Sequence, residues 1–298
     1  MSGPDIEVRD DRIARVGTTE VRRALPQRER RTVGAWCFAD HFGPTDDGAP
    51  GIGPHPHIGL QTVTWLLEGK LVHRDSVGSE QLIEPGQLNL MTAGNGVTHA
   101  EEHPDRTQHE AGRGHTGHGM QLWVAQPEET RHGAPAFEHH ALLPEVELPG
   151  ATATVLVGEL AGTRSPARAD TRHVGFQLAL RVASEVPTEH GFEHAVIPLD
   201  GPITLDGRAL GVGQVAYLAP GRSSLTLEGS EPSRVLVLGG EPWDVTVRMW
   251  WNFVARTQEE LTDAYRGWQA HHERYGQVRS SLERIDAPRP HWLPAGAA

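Results

Sequence analysis

The segment GPHPHIGLQT carries His55 and His57 two positions apart, each preceded by a proline. Proline at 54 and 56 favours an extended backbone and excludes a helix. In an extended segment alternate side chains share a face, so both imidazoles point the same way and can converge on one ion. Further along, NGVTHAEE gives His99 and Glu101 the same spacing, just after the turn residues Gly94, Asn95 and Gly96. Two such strands side by side would bring His55, His57, His99 and Glu101 to one spot. Three imidazole nitrogens and one carboxylate oxygen suit a first-row divalent metal. Two cis positions of an octahedron would stay open, enough for a bidentate substrate or for substrate and O2. Nothing here resembles the cysteine ligation of a closed zinc site. One H-x-H pair among 18 histidines says little; the joint pattern is specific.

Continuing the alternation past His57 puts Gly59, Gln61, Val63, Trp65 and Leu67 on the histidines' face. That face would be a barrel interior, with Val63 and Trp65 as an apolar slot. By the same parity His103 follows His99 and would stand at the rim of the site.

The elements that must position these residues are short strands. Apolar-alternating runs such as VTWLL, QLI, LNLM and MQLWV end at EG, EPG, GNG and QP. Many short strands punctuated by turns predict an all-β sandwich or barrel rather than βαβ units. A second β-rich series, from about 151 to 240, predicts two barrels in tandem, with a metal-binding unit over 1–145 and a second unit over 146–298. In the second, HGFEHAVIPLDG lacks the H-x-H spacing, so a metal-free barrel is expected. The polar stretch EEHPDRTQHEAGRGHTGHG predicts a long surface loop beside the site. Near the C-terminus, Thr257 to Glu260 fits a capping box, and Leu261, Tyr265 and Trp268 recur at helical spacing. A helix over about 258–275 is expected, followed by an extended proline-rich tail.

Composition narrows the function classes. The formal net charge is −12, which argues against direct contact with DNA or RNA. No apolar run approaches the length of a membrane span, and the charged N-terminal residues carry no secretory leader pattern, so a cytoplasmic location is expected. Cys37 is the single cysteine. It excludes an intrachain disulfide and is expected to be a small core residue.

The segments HPHIGLQTVTWLLEG, HRDSVGSEQLIEPGQLNLMTAGNGVTHAEE and MQLWVAQPEE together resemble the pirin family of the cupin superfamily. The resemblance thins over the C-terminal half, where GGEPWDVTVRMWWNFVARTQEEL is still similar to bacterial members. It implies two antiparallel jelly-roll barrels in one chain with a single metal in the N-terminal one. The family's iron ligands fall on His55, His57, His99 and Glu101, the residues the alternation also selects. It implies one Fe(II) per chain, with zinc, nickel, copper, manganese or cobalt able to take the site on purification, and a monomer. One departure stands out. Cupins place a glutamate four residues beyond the H-x-H pair, and here that residue is Gln61, expected to act as a neutral hydrogen-bonder around the metal.

The resemblance implies two activities. In the first, the protein is a dioxygenase acting on a small aromatic substrate, a flavonol such as quercetin, together with O2. Glu101 is then the base for the 3-hydroxyl proton. In the second, it is a regulatory protein whose iron oxidation state controls binding of a protein partner. A different cupin reaction on another diol is a third reading, since fold does not fix chemistry.

Overall fold

The computed structural model describes residues 6–16, 19–45, 51–104, 117–229 and 233–294. The chain is all-β with two tandem barrels and a short C-terminal α-helix, as the strand pattern predicts. Each barrel is built from a seven-stranded and a four-stranded antiparallel sheet. In the first barrel the large sheet runs Ala136–His140, Leu88–Thr92, Leu60–Glu68, Gly117–Ala125, Trp36–Thr45, Thr19–Leu25, Arg12–Val16. Facing it, the small sheet runs Ile52–His57, Val97–Glu102, Leu71–Asp75, Glu80–Ile83. Of the predicted loop, Glu101, Glu102 and residues 117–119 are strand, and residues 105–116 lie outside the described residues.

The two interiors differ in chemistry. The second barrel is filled by an apolar cluster that includes Phe176, Leu178, Val196, Leu225 and Val235. The first has a smaller apolar cluster around Phe38, Leu60, Met91 and Trp123, which leaves room for buried polar groups. Cys37 belongs to this cluster, and burial pushes its thiol up to about 12, so it is inert core. A third cluster joins the barrels: Trp36, Val63, Trp65, Leu90 and Leu122 pack with Leu236, Leu238 and Tyr217. Its polar atoms are paired across the junction. Trp36 Nε1 donates to the carbonyls of Val174 at 3.1 Å and Gly239 at 3.2 Å, and the Tyr217 hydroxyl donates to Ala24 O at 2.8 Å. Gly175 is required there because a Cβ would come within 2.9 Å of the Trp36 ring.

The chain ends cross over relative to a division at residue 145. The N-terminal strand Ile6–Asp10 pairs with Gln214–Leu218 at the edge of the second barrel's large sheet. The C-terminal segment instead packs on the first barrel. Ile58 bridges to Phe253, and Ile285 N donates to Pro54 O at 2.9 Å. The helix spans Gln258–Gln269 with both halves of the capping box formed between Thr257 and Glu260. It is shorter than the predicted 258–275. His271 takes φ +54°, which breaks the helix, and a 3-10 turn follows at Glu273–Tyr275. Leu261, Tyr265 and Trp268 are buried with Phe253 and Tyr275, so the apolar stripe is packing.

Candidate metal centre

The strands Ile52–His57 and Val97–Glu102 pair antiparallel, with His99 opposite His55 and Val97 opposite His57. His55, His57 and His99 all face inward, and their ligating nitrogens lie within 4.8 Å of one another. His57 Nε2 is 3.0 Å from His99 Nε2. Backbone carbonyls fix two of the rings. His55 Nδ1 donates to Gly53 O at 2.8 Å, and His57 Nδ1 donates to Asn252 O at 3.0 Å. A carbonyl only accepts, so in the neutral rings the proton sits on Nδ1 and the Nε2 lone pair points inward.

Burial keeps these rings uncharged. It lowers His55 to about 4 and holds His57 and His99 well below the ordinary histidine range, helped by the neighbouring imidazoles. Neutral imidazole is the form a metal needs. Two lone pairs are thus aimed inward, and His99 Nε2 stands 3.0 Å from that of His57, so the donor set fits a divalent transition metal.

Glu101 stands outside this group of three. Its carboxylate is buried and accepts from the Thr64 hydroxyl at 3.4 Å. Burial raises its pKa, opposed mainly by His73. Thr64 also donates to Gln121 Oε1 at 2.9 Å, so one hydroxyl proton serves two acceptors.

His55, His57 and Glu101 open onto a cavity of about 470 Å³. That is within the range of small-molecule sites, ~300–1,000 Å³. Phe38, Trp123 and Trp251 form part of its wall. Trp123 sets its ring edge-on to His57 at 5.2 Å and stacks on Phe38 with centroids 4.0 Å apart.

Gln61, Val63 and Trp65 are not on this wall, contrary to the expectation from simple alternation. Gly59, at φ +65°, turns a corner between Ile52–His57 and Leu60–Glu68, which belong to different sheets. The alternation restarts one residue out of phase. Leu60 and Thr64 face the interior, while Val63 and Trp65 join the core between the barrels. Trp65 Nε1 donates to Gln177 Oε1 of the second barrel at 2.8 Å. Gln61 is fully buried and donates to Thr92 Oγ1 at 3.1 Å, not toward the histidines. His103 follows the last strand residue, Glu102, and does not line the cavity.

Several residues of the site escaped the sequence reading. His73 is buried 5.2 Å from the His99 ring, stacks on Phe137, and bonds Asp75 Oδ2 at 2.9 Å. The H-x-D spacing of His73 and Asp75 is the signal that would have found them, by the parity rule already used for H-x-H. Thr64 follows once the corner at Gly59 is allowed for. Asn252 orients His57 through its backbone carbonyl, a contact that no residue pattern announces.

Residues 18–124 match the family model described as Pirin, and residues 173–274 match the pirin C-terminal cupin domain. A Pseudomonas aeruginosa protein named "Putative quercetin 2,3-dioxygenase" is 42% identical, over 93% of this chain and 87% of its own. The chain belongs to the pirin family. Human pirin is 29% identical to it, over 82% of this pirin and 84% of the human chain. The crystal structure of quercetin 2,3-dioxygenase from Acinetobacter baumannii matches this pirin at TM-score 0.90 and 40% identity, covering 98% of this chain and 97% of that one. A bacterial pirin from Escherichia coli in complex with nickel(II) shares the fold at TM-score 0.64 and 18% identity, over 80% of this chain and 100% of its own.

Proposed function

We propose that this pirin is a metal-dependent dioxygenase that opens the ring of a flavonol such as quercetin with O2. The observation that carries the reading is the cluster of His55, His57 and His99 beside an aromatic-walled cavity that His55, His57 and Glu101 line. The names of its relatives from Pseudomonas and Acinetobacter support the same substrate class.

His55, His57 and His99 would hold iron(II), with Glu101 as a fourth ligand. Bound there, the ion would supply Lewis acidity at the flavonol's 3-hydroxyl and 4-carbonyl oxygens and bring substrate and O2 together. The chain's own residues do the rest. Glu101 takes the 3-hydroxyl proton; burial makes its carboxylate more basic than an exposed one. Thr64, held by Gln121, restrains that carboxylate. Phe38, Trp123 and Trp251 offer flat apolar surface to the rings and exclude water.

The test is quercetin added in air to protein reconstituted with iron, following O2 uptake, loss of flavonol absorbance and release of carbon monoxide. The expected result is one carbon monoxide per O2 consumed, at a rate well above iron alone. A rate equal to the iron-only control would sink the proposal and favour a regulatory role exerted through a protein partner. Iron loading comes first, because the affinity order of divalent metals favours zinc, nickel and copper over iron.

A further inference from the structure

The cavity has a second polar feature that the metal chemistry leaves unused. Arg23 and Asp40, from Thr19–Leu25 and Trp36–Thr45, line the same cavity as His55, His57 and Glu101. They are paired in register, and Asp40 in turn pairs with Gln121, which pairs with Thr64. A row of polar side chains therefore crosses the inner face of the large sheet from Arg23 to Thr64, and Thr64 reaches Glu101. At ~4.8 Å per strand, Arg23 lies about 10 Å along the sheet from Gln121. That is a separation two or three aromatic rings can bridge.

The pair is rigid. Arg23 Nε and Nη2 donate to Asp40 Oδ1 and Oδ2, both at 2.6 Å, in the two-pronged geometry that fixes a guanidinium plane. The guanidinium carbon lies 4.5 Å over the Phe38 ring, and Phe38 stacks on Trp123, which abuts His57. A continuous line of contacts thus runs from a candidate metal ligand to Arg23. The pair is also largely buried, with side-chain exposures of 18% for Arg23 and 3% for Asp40. Arg23 Nη1 has no acceptor among the described residues, and each Asp40 oxygen keeps a further lone pair.

A lone buried arginine would select an anion. This one is neutralised by Asp40, so the site offers one spare donor beside one spare acceptor. A group that both gives and accepts a hydrogen bond satisfies it, and a phenolic hydroxyl is that group.

We propose that the Arg23–Asp40 pair is a specificity site for a ring hydroxyl remote from the chelating oxygens, so that the preferred substrates are polyphenols. This rests on the flavonol reading given above and refines it.

The experiment is anaerobic binding to the iron-reconstituted full chain, read from the flavonol absorbance shift. The probes are 3-hydroxyflavone, which has the chelating pair alone, and its analogues with one added hydroxyl at position 4′ or 7. At least one analogue is expected to bind about tenfold more tightly than 3-hydroxyflavone. In the double variant Arg23→Met/Asp40→Leu, which leaves no lone buried charge, that ratio is expected to fall to about one. Arg23→Lys keeps the ion pair but loses the planar fork, and should reduce the ratio severalfold. Metal content is measured in parallel for each protein.

Equal binding of all three flavonols to the wild type would overturn the proposal without a variant. So would a preference that survives in the double variant, or is undiminished in Arg23→Lys, with metal content intact. If no flavonol binds to metal-loaded wild type, the flavonol reading itself falls and the proposal with it.

Discussion

His57 and His99, 42 positions apart in the chain, face each other with Nε2 atoms 3.0 Å apart inside the first barrel. With His55 they form a set of neutral donors whose simplest common partner is a metal ion. His57→Ala combined with His99→Ala should therefore abolish metal retention, a larger effect than the ~10–100-fold loss typical of changes outside the ligand set. Elemental analysis after iron reconstitution and desalting checks this. Full retention by the double variant would refute the assignment.

Glu101→Gln removes the proposed base while keeping size and hydrogen-bonding capacity. Turnover of quercetin should fall by ~10²–10⁴, while anaerobic quercetin binding persists. Steady-state rates and binding titrations on the same preparation separate the two effects. Unchanged turnover would rule Glu101 out as the base.

Trp65 packs between the barrels and bonds Gln177. Trp65→Ala should cost about 3–5 kcal/mol of stability, measured by urea unfolding, with KM for quercetin unchanged in the folded protein. A raised KM without loss of stability would return Trp65 to the substrate pocket.

Gln61 is fully buried on the face turned away from the histidines. Gln61→Glu puts an ionisable carboxyl there, and burial will raise its pKa above that of the unfolded chain. The folded variant then binds its proton more tightly than the unfolded one. Its stability is closest to wild type below the unfolded carboxyl range and falls as pH rises toward neutral. Urea midpoints across that range, with metal content alongside, test this. A variant as stable as wild type at pH 7 but altered in metal affinity would show that residue 61 tunes the centre.

His173 and His194, in the second barrel, are each lowered to about 4 by burial. An unfolded histidine titrates near 6.5, so between about pH 4 and 6.5 the unfolded chain binds protons that the folded chain refuses. Their contribution is complete above about pH 6.5 and is lost as pH falls toward 4, at ~1.4 kcal/mol per pH unit for each ring. His173→Asn with His194→Asn should flatten the pH dependence of the urea midpoint in this window. A slope equal to wild type would contradict the proton uptake assigned to them.

Much of this was legible in the residues. The turn signals after VTWLL and LNLM give the barrels, and Thr257 with Glu260 gives the helix start. The histidine triad follows from two-residue alternation, since His55, His57 and His99 sit within unbroken strands. The same rule failed at Gln61, Val63 and Trp65 because one glycine at positive φ resets the alternation, and a sequence does not display φ. The helix end was missed for a similar reason: His271 adopts a left-handed conformation that its residue type does not demand. Contacts made by backbone, such as Asn252 O to His57, leave no mark on residue identity.

The crossing of the chain ends has a consequence for how the protein matures in time. Synthesis runs from the N-terminus, yet the first strand finds its neighbour only when residues 214–218 have emerged. His57 acquires the carbonyl that orients it only when residue 252 has been made, and Pro54 its bond from Ile285 later still. A half-made chain carries all three histidines without this support, so the backbone contacts around His55 and His57 are complete only when nearly the whole chain has been made.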